Sequence, residues 1–147
     1  MSYMLTDIVI IIIQNSNNQL FVHQRSDTDP EKPFPLKYGL GAGGKVNERE
    51  SIDEAANREL SEELKIQINL EHLFSFPFTH PQTSYTVNVF RGFYNGELVP
   101  CKREFKQARW MNTAEIDELA KNEELCPDTK ICYETFKSKH LKNPKPS

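Results

Sequence analysis

An unbroken run of β-branched residues at positions 8–13 (IVIIII) places the tightest limit on how this chain can fold. Such side chains have restricted rotamers in a helix and pack well on a pleated surface, so the run predicts a strand. An Asn-rich turn at 15–18 separates it from a second apolar segment at 19–26, and this arrangement predicts a hairpin. The run is far shorter than the roughly 20 residues of a membrane span, and it lacks the basic start and the cleavage site of a signal peptide.

Beyond this hairpin the pattern mixes strands with helices. Strands are predicted at 72–78, 84–94 and 108–111, and helices at 51–64, 112–122 and 127–141. The dipeptide NG at 95–96 is the strongest hairpin signal in the chain, so the strand at 108–111 is expected to return beside the strand at 84–94. An Asn-x-x-Glu capping pattern at Asn112 and a proline at Pro127 mark the starts of the last two helices.

The length and the order of these elements favour a single domain. A chain of 147 residues can bury one core and is too short for two comfortable ones. Strands mixed with helices predict a layered α/β or α+β fold with a mixed sheet over residues 1–147, ending in a frayed tail at 141–147.

The composition disfavours several classes of function. A net charge of −3 provides no basic field to attract nucleic acid or an anionic membrane, so an anionic ligand needs a local site. The three cysteines, Cys101, Cys126 and Cys132, form no CxxC pattern and predict reduced thiols in a cytoplasmic protein. The four histidines are scattered without an HxxxH pair, which argues against a zinc site.

Three glutamates, Glu59, Glu62 and Glu63, crowd into five residues of the predicted helix 51–64. The apolar stripe that begins at Ile52 continues, at 3.6 residues per turn, through positions that glutamates occupy. Carboxylates at this spacing repel one another, and burying them is costly unless a proton or a hard divalent cation such as Mg²⁺ or Mn²⁺ neutralises them. A solvated acidic helix face is the alternative interpretation.

A glycine-rich segment precedes the acidic helix. Gly41, Gly43 and Gly44 allow the backbone to approach a ligand closely, so that peptide groups face an anion or lend a carbonyl oxygen to a metal. A tight connection between a strand and a helix has the same composition. Beside the glutamates, however, the segment suggests a metal bound between the loop and the helix.

Residues 44–66 (GKVNERESIDEAANRELSEELKI) resemble the Nudix box, G-x5-E-x7-R-E-U-x-E-E-x-G-U, in which U is an apolar residue. The mismatch is Lys65, where the box has glycine, and it is expected to cost roughly 1 kcal/mol if the backbone there has a positive φ. Arg49, where many members have glycine, is a milder departure. Eight of the nine defined positions match, namely Gly44, Glu50, Arg58, Glu59, Leu60, Glu62, Glu63 and Ile66.

The resemblance implies both a fold and an activity. The fold is an α/β/α sandwich around a mixed sheet, with the box as a loop–helix–loop. The activity is metal-dependent hydrolysis of a diphosphate joined to another group, often a nucleoside diphosphate derivative, with Mg²⁺ or Mn²⁺ as the cofactor. A small-molecule substrate is implied, without a nucleic-acid-binding domain. The resemblance allows a homodimer, which the sequence does not decide.

The resemblance also implies roles for individual residues of the box. Glu59, Glu62 and Glu63 match the metal-binding and catalytic glutamates of the family, and Gly44 matches the residue that gives a backbone carbonyl to the metal. Glu50 and Arg58 look like the pair that braces the loop against the helix.

Outside the box the implied roles concern three residues. Glu104 resembles the further glutamate that some members use as a metal ligand or general base, and an exposed loop glutamate is the alternative. Arg25 lies where members often hold phosphate, and Lys45 is a second cationic candidate for binding substrate.

Two other functions compete with the hydrolase. The segments HQRS and FPLKYG resemble the lead-in of isopentenyl-diphosphate isomerases, but that chemistry uses a cysteine just before the box, where this chain has none. A non-catalytic nucleotide-binding module usually loses box glutamates, and this chain retains them. The substrate and its leaving group stay open, from nucleoside triphosphates and nucleotide sugars to dinucleotides and prenyl diphosphates.

Overall fold

The computed structural model describes residues 6–30, 33–81 and 83–141, without the side chain of Thr83. Of the predicted tail at 141–147, only Leu141 is among the described residues. Within these ranges the chain forms seven strands and three helices: β1 (Thr6–Gln14), β2 (Leu20–Arg25), β3 (Tyr38–Leu40), β4 (Ala42–Lys45), α1 (Ile52–Leu64), β5 (Glu71–His80), β6 (Thr83–Phe93), β7 (Phe105–Met111), α2 (Thr113–Lys121) and α3 (Pro127–Lys139).

Strand β1 is the centre of the sheet, and its β-branched residues are buried on both faces. Ile10 and Ile12 pack into one core, whereas Val9, Ile11 and Ile13 pack into the other. A strand covered on both faces needs a continuous apolar run in place of an alternating one. Burying each of these side chains contributes about 1.5–3 kcal/mol, so β1 anchors both layers of the molecule.

The two cores lie on opposite faces of a mixed sheet. Helix α1 covers one face, and α2 and α3 cover the other. Strand β1 runs parallel to β6, while the other ladders between named strands in the described ranges are antiparallel. The predicted α/β/α sandwich around a mixed sheet is therefore confirmed. Among the described residues, no helix has the length and apolar character needed to cross a membrane.

The first hairpin is confirmed at its turn, but its strands separate at once. Gln14 and Leu20 are the only residues that β1 and β2 pair in register within the described chain. Beyond them β4 takes the edge of β1, while β3 and β7 flank β2. The chain crosses from one ladder to the other at Gly41, which has a φ of 53° and donates its N–H to the Phe21 carbonyl at 2.7 Å.

The predicted hairpin at 95–96 is wrong. Strand β7 pairs with β2, and β6 is flanked by β1 and β5, so β6 has no edge left for a returning strand. The Asn95 side chain instead accepts the backbone N–H of Ser16 at 2.8 Å and so ties down the turn between β1 and β2. The local signal at NG was outweighed by pairing between strands that are distant in sequence.

All three predicted helices are confirmed, and their caps explain where they begin. Ser51 caps α1 and Asn112 caps α2, each through a reciprocal capping box with a glutamate three residues later. Pro127 occupies the first turn of α3, where its missing N–H costs nothing.

Helix α1 ends at Lys65 in the left-handed conformation, with φ 60° and ψ 32°. Arg49, just before Glu50, also has a positive φ of 66°. Both positions at which the sequence departs from a glycine of the Nudix pattern therefore adopt a conformation that favours glycine. The Lys65 ammonium donates to the Glu62 carbonyl at 2.8 Å, which offsets part of the strain.

Replacing Lys65 by glycine is expected to stabilise the protein relative to Lys65→Ala. Both variants lose the ammonium group, but only glycine relieves the strain of the left-handed backbone at position 65. The free energies of unfolding of the two variants should therefore differ by about 1 kcal/mol. Urea denaturation of the two variants measures this difference. Equal stability would show that the backbone at Lys65 is not strained in solution.

Candidate active site

Glu63 and Glu59 form a carboxyl pair on the side of α1 that faces β4. Glu63 is only 6% exposed, and it accepts the Gly43 N–H at 3.3 Å. The Glu59 side chain is 13% exposed. Burial, followed by a hydrogen bond and the charge of Glu59, raises the pKa of Glu63 to about 10. At neutral pH Glu63 therefore keeps its proton unless a cation replaces it.

Gly44 leaves the space that the Glu59 carboxylate occupies. A Cβ atom built on Gly44 would overlap the carboxylate oxygen Oε1 of Glu59. Helix α1 can therefore lie against β4 with the carboxylate close to the backbone because position 44 has no side chain.

Arg58 connects the loop, the strand and the helix of the box. Its Nε and Nη2 donate to the two carboxylate oxygens of Glu50 at 2.7 and 3.0 Å, and Nη2 also donates to the Lys45 carbonyl at 2.9 Å. Its Nη1 donates to Glu59 at 2.9 Å. The bond to Arg58 lowers the pKa of Glu50, and the bond to Glu50 raises the pKa of Arg58. These contacts are consistent with the bracing role predicted for Glu50 and Arg58.

Glu62 differs from the other two glutamates of the box. Its side chain is 59% exposed and lies 3.4 Å from Arg58, so it faces solvent at the edge of the site. The apolar stripe of α1 runs instead through Leu60 and Leu64. Across the described ranges, no three His, Cys, Asp or Glu side chains are arranged to hold one metal ion. To join Glu59 and Glu63 at an ion, Glu62 would have to turn away from Arg58.

Glu104 lies close to the carboxyl pair on the turn before β7. The Cys101 N–H donates to the Glu63 carbonyl at 2.9 Å, which fixes this turn against the end of α1. Glu104 is half-buried, and its negative charge contributes to the raised pKa of Glu63. The structure thus brings Glu104 beside the box although 40 residues of sequence separate it from the helix end at Leu64.

A cavity of about 280 Å³ opens on the other side of Glu104. Arg25 lines it, as expected for a substrate-binding residue, whereas Glu59, Glu62 and Glu63 do not. Lys45 is also absent from the described lining; its side chain is exposed, and its carbonyl accepts a hydrogen bond from Arg58. The described lining residues are Arg25, Ser26, Thr28, Asp29, Pro30, Arg103 and Glu104.

Four polar residues of this cavity were not anticipated from sequence. They lie on two loops without periodicity, at 26–30 and 101–104, which meet where the Ser26 N–H donates to the Glu104 carbonyl at 3.3 Å. The one available signal was the charged sequence KRE at 102–104, immediately before the strand that contains Trp110. The four residues are Ser26, Thr28, Asp29 and Arg103.

Comparisons with known proteins agree with this geometry. The family model described as the NUDIX domain matches residues 4–130. A protein of Pseudomonas aeruginosa named an uncharacterised Nudix hydrolase is 31% identical over 81% of this chain and 70% of its own length. A protein of Listeria monocytogenes with the same description is 27% identical over 82% of this chain and 71% of its own length.

A solved structure shares the fold. The MutT protein of Methanosarcina mazei superposes with a TM-score of 0.78 and 23% identity, over 96% of this chain and 96% of that one. Together with the matched box and the arrangement of its glutamates, these similarities assign the family. The chain belongs to the Nudix domain family, whose named relatives are hydrolases.

Proposed function

We propose that this enzyme hydrolyses the diphosphate linkage of a nucleoside diphosphate joined to another group, with a divalent metal as cofactor. The observation that carries the proposal is the carboxyl pair of buried Glu63 and partly buried Glu59, beside Glu104, which also lines a cavity with two arginines. Burying a carboxyl group costs folding free energy. A chain that keeps one at this position is expected to use it, with a cation replacing the proton during function.

The residues of the site fit Mg²⁺ or Mn²⁺. The available donors are carboxylate and carbonyl oxygens, which hard divalent cations prefer. Glu59, Glu63 and the Gly44 carbonyl would hold the ion, and Glu62 would join them by turning from Arg58. When bound, the ion neutralises the charge of the diphosphate and lowers the pKa of a water molecule.

The remaining roles belong to side chains around the carboxyl pair. Glu104 is placed to accept a proton from the attacking water as the general base. Arg25 binds a phosphate oxygen at the cavity wall, and Lys45 attracts the anionic substrate from the exposed end of β4. Arg58 and Glu50 hold the loop against α1, so that Gly44 and Glu59 keep their positions.

The proposal also places the protein in the cytoplasm. Burial raises the pKa of Cys126 to about 11 and also raises the pKa of Cys132, so both thiols stay protonated and unreactive, as suits a reduced cytoplasmic protein. The substrate is a small molecule, residues 1–147 act as one domain, and assembly into a homodimer stays open to measurement.

The first experiment measures hydrolysis of a panel of diphosphates with Mg²⁺, Mn²⁺ or EDTA, with the products identified by mass spectrometry. We expect cleavage at the diphosphate that requires metal. Conversion of isopentenyl diphosphate to its isomer without phosphate release would favour the isomerase instead. Nucleotide binding with no turnover of any compound would favour the non-catalytic module.

Gly44→Ala is expected to lower kcat/KM by at least about 10-fold while leaving the free energy of unfolding nearly unchanged. The new methyl group displaces the Glu59 carboxylate, which is the far end of a flexible side chain, so the site shifts and the fold adapts. Kinetics and urea denaturation of the same preparation measure both effects. Wild-type kinetics in the variant would show that the position of Glu59 is not critical.

A further inference from the structure

The cavity beside Glu104 is structurally tied to the proposed reaction centre. One of its walls is the turn at 101–104, which the Cys101 N–H fixes to the Glu63 carbonyl at 2.9 Å. The opposite wall begins at Ser26, whose N–H donates to the Glu104 carbonyl at 3.3 Å. The turn at 101–104 therefore links the cavity to the carboxyl pair, because Glu104 lines the cavity and its charge also acts on Glu63.

Two arginines give the cavity the chemistry of a phosphate site. Arg25, the last residue of β2, and Arg103, on the turn before β7, both line it. Arg25 donates Nη1 to the Pro33 carbonyl at 2.7 Å, which orients the guanidinium. A guanidinium has five N–H donors in a planar fork, so its remaining donors suit the oxygens of a phosphate.

The other polar groups of the cavity suit hydroxyl groups. The hydroxyls of Ser26 and Thr28 lie 2.7 Å apart and share one hydrogen, so the second hydroxyl hydrogen can still be donated. Asp29 and Glu104 add carboxylate acceptors. A sugar, with hydroxyls that both donate and accept, matches this mixture of groups.

The same lining disfavours the other leaving groups. A terminal pyrophosphate would bring its charge against the carboxylates of Asp29 and Glu104. A prenyl chain would cover the polar groups of the lining without giving them hydrogen-bond partners, at a cost in affinity. A second nucleobase would find no aromatic side chain to stack on among the described residues that line the cavity.

The volume sets a further limit on the occupant. About 280 Å³ lies just below the range for small-molecule sites, roughly 300–1,000 Å³. A small occupant such as a single sugar ring therefore suits this cavity better than a whole second nucleotide.

Building on the proposed hydrolase activity, we propose that this cavity binds the sugar-phosphate half of a nucleotide sugar, and that Arg103 determines this specificity. Water supplies the oxygen that replaces the bridging oxygen on one phosphorus, and the bridging oxygen leaves with the other phosphate. The two protons of the water pass to base and solvent. The products are a nucleoside monophosphate and a sugar phosphate.

The first test compares substrates that share one nucleotide. We expect kcat/KM for ADP-glucose or ADP-ribose to exceed that for ATP by at least about 10-fold. An equal or higher value for ATP would overturn the sugar assignment and leave the hydrolase proposal standing. Absence of metal-dependent cleavage of every diphosphate would instead overturn the proposed function on which this inference depends.

The second test uses a variant and a readout that needs no turnover. Arg103→Ala should raise KM for the nucleotide sugar by about 10-fold with little change in kcat, whereas Lys102→Ala, at an exposed neighbour outside the cavity, should match the wild type. In EDTA, calorimetry should show that glucose 1-phosphate binds more tightly than inorganic phosphate, and that Arg103→Ala weakens this binding. Equal affinity for the two ligands, or no effect of Arg103→Ala, would overturn the proposal.

Discussion

Glu63→Gln is expected to lower kcat/KM by at least about 10²-fold while raising the stability of the metal-free protein. The amide keeps the shape of the side chain and can still accept the Gly43 N–H, but it cannot carry the charge that a bound metal requires. It also removes a buried acid whose pKa is raised to about 10. Activity and stability should therefore change in opposite directions.

The sign of the stability change follows from the two pKa values of Glu63. The ordinary pKa of Glu63 is 4.5 and its pKa in the folded protein is about 10. Its contribution to the free energy of unfolding is therefore complete below pH 4.5 and is lost as the pH rises toward 10. Between pH 6 and 9, in EDTA, the melting temperature of the wild type should fall more steeply than that of Glu63→Gln. At pH 8 the variant should melt about 3 °C higher or more.

The same pair of proteins reports on metal binding. Adding Mg²⁺ should raise the melting temperature of the wild type and leave that of Glu63→Gln nearly unchanged, because only the Glu63 carboxyl group can release a proton to solvent and then bind the ion. Glu48→Gln, an exposed glutamate of the same loop–helix segment, is the matched control and should follow the wild type. Equal activity of Glu63→Gln and wild type would remove Glu63 from the catalytic site.

Gly41→Ala is expected to reduce the free energy of unfolding by at least about 3 kcal/mol. The added methyl group would overlap the backbone carbonyl oxygen of Ile11 in the central strand, and alanine is strained at a φ of 53°. Neither the backbone of β1 nor the crossing between ladders can shift without breaking hydrogen bonds. This change should be the most destabilising of the glycine substitutions considered.

Urea denaturation measures the loss, and Gly96→Ala provides the control. Gly96 lies in an exposed loop where the nearest atoms to a new Cβ are in the ring and hydroxyl of Tyr94, a side chain that can turn aside. A loss below about 1 kcal/mol is expected there. Similar stability for the two variants would mean that the crossing at Gly41 can relax.

Features encoded by neighbouring residues could be predicted from the sequence. The β-branched run became the central strand, and the capping patterns at Ser51 and Asn112 mark where helices begin. The spacing of the glutamates predicted that Glu59 and Glu63 face inward, because 3.6-residue periodicity depends only on the helix itself. Family resemblance added the fold and the class of enzyme.

Features that depend on distant contacts could not be predicted in this way. Strand β7 pairs with β2 because the edges of β6 are already taken, and no local signal carries that information. Glu62 faces solvent and lies 3.4 Å from Arg58, a contact that the spacing of the glutamates did not indicate. The polar cavity forms where the loops at 26–30 and 101–104 meet in space. The sequence of each loop on its own is typical of an ordinary surface connection.

Because β1 and β2 separate early, the molecule has two parts whose sequences can change independently during evolution. The glutamates of α1 and the glycines of β4 are carried by the ladder of β1, whereas both cavity loops extend from one end of the ladder formed by β2 and β7, where Arg25 pairs with Phe105. Loops tolerate substitution and insertion more readily than the strands that hold them. Substitutions in the loop at 26–30 and at Arg103 can therefore exchange one recognised group for another in descendants or designed variants, while Glu59, Glu63 and Glu104 are retained.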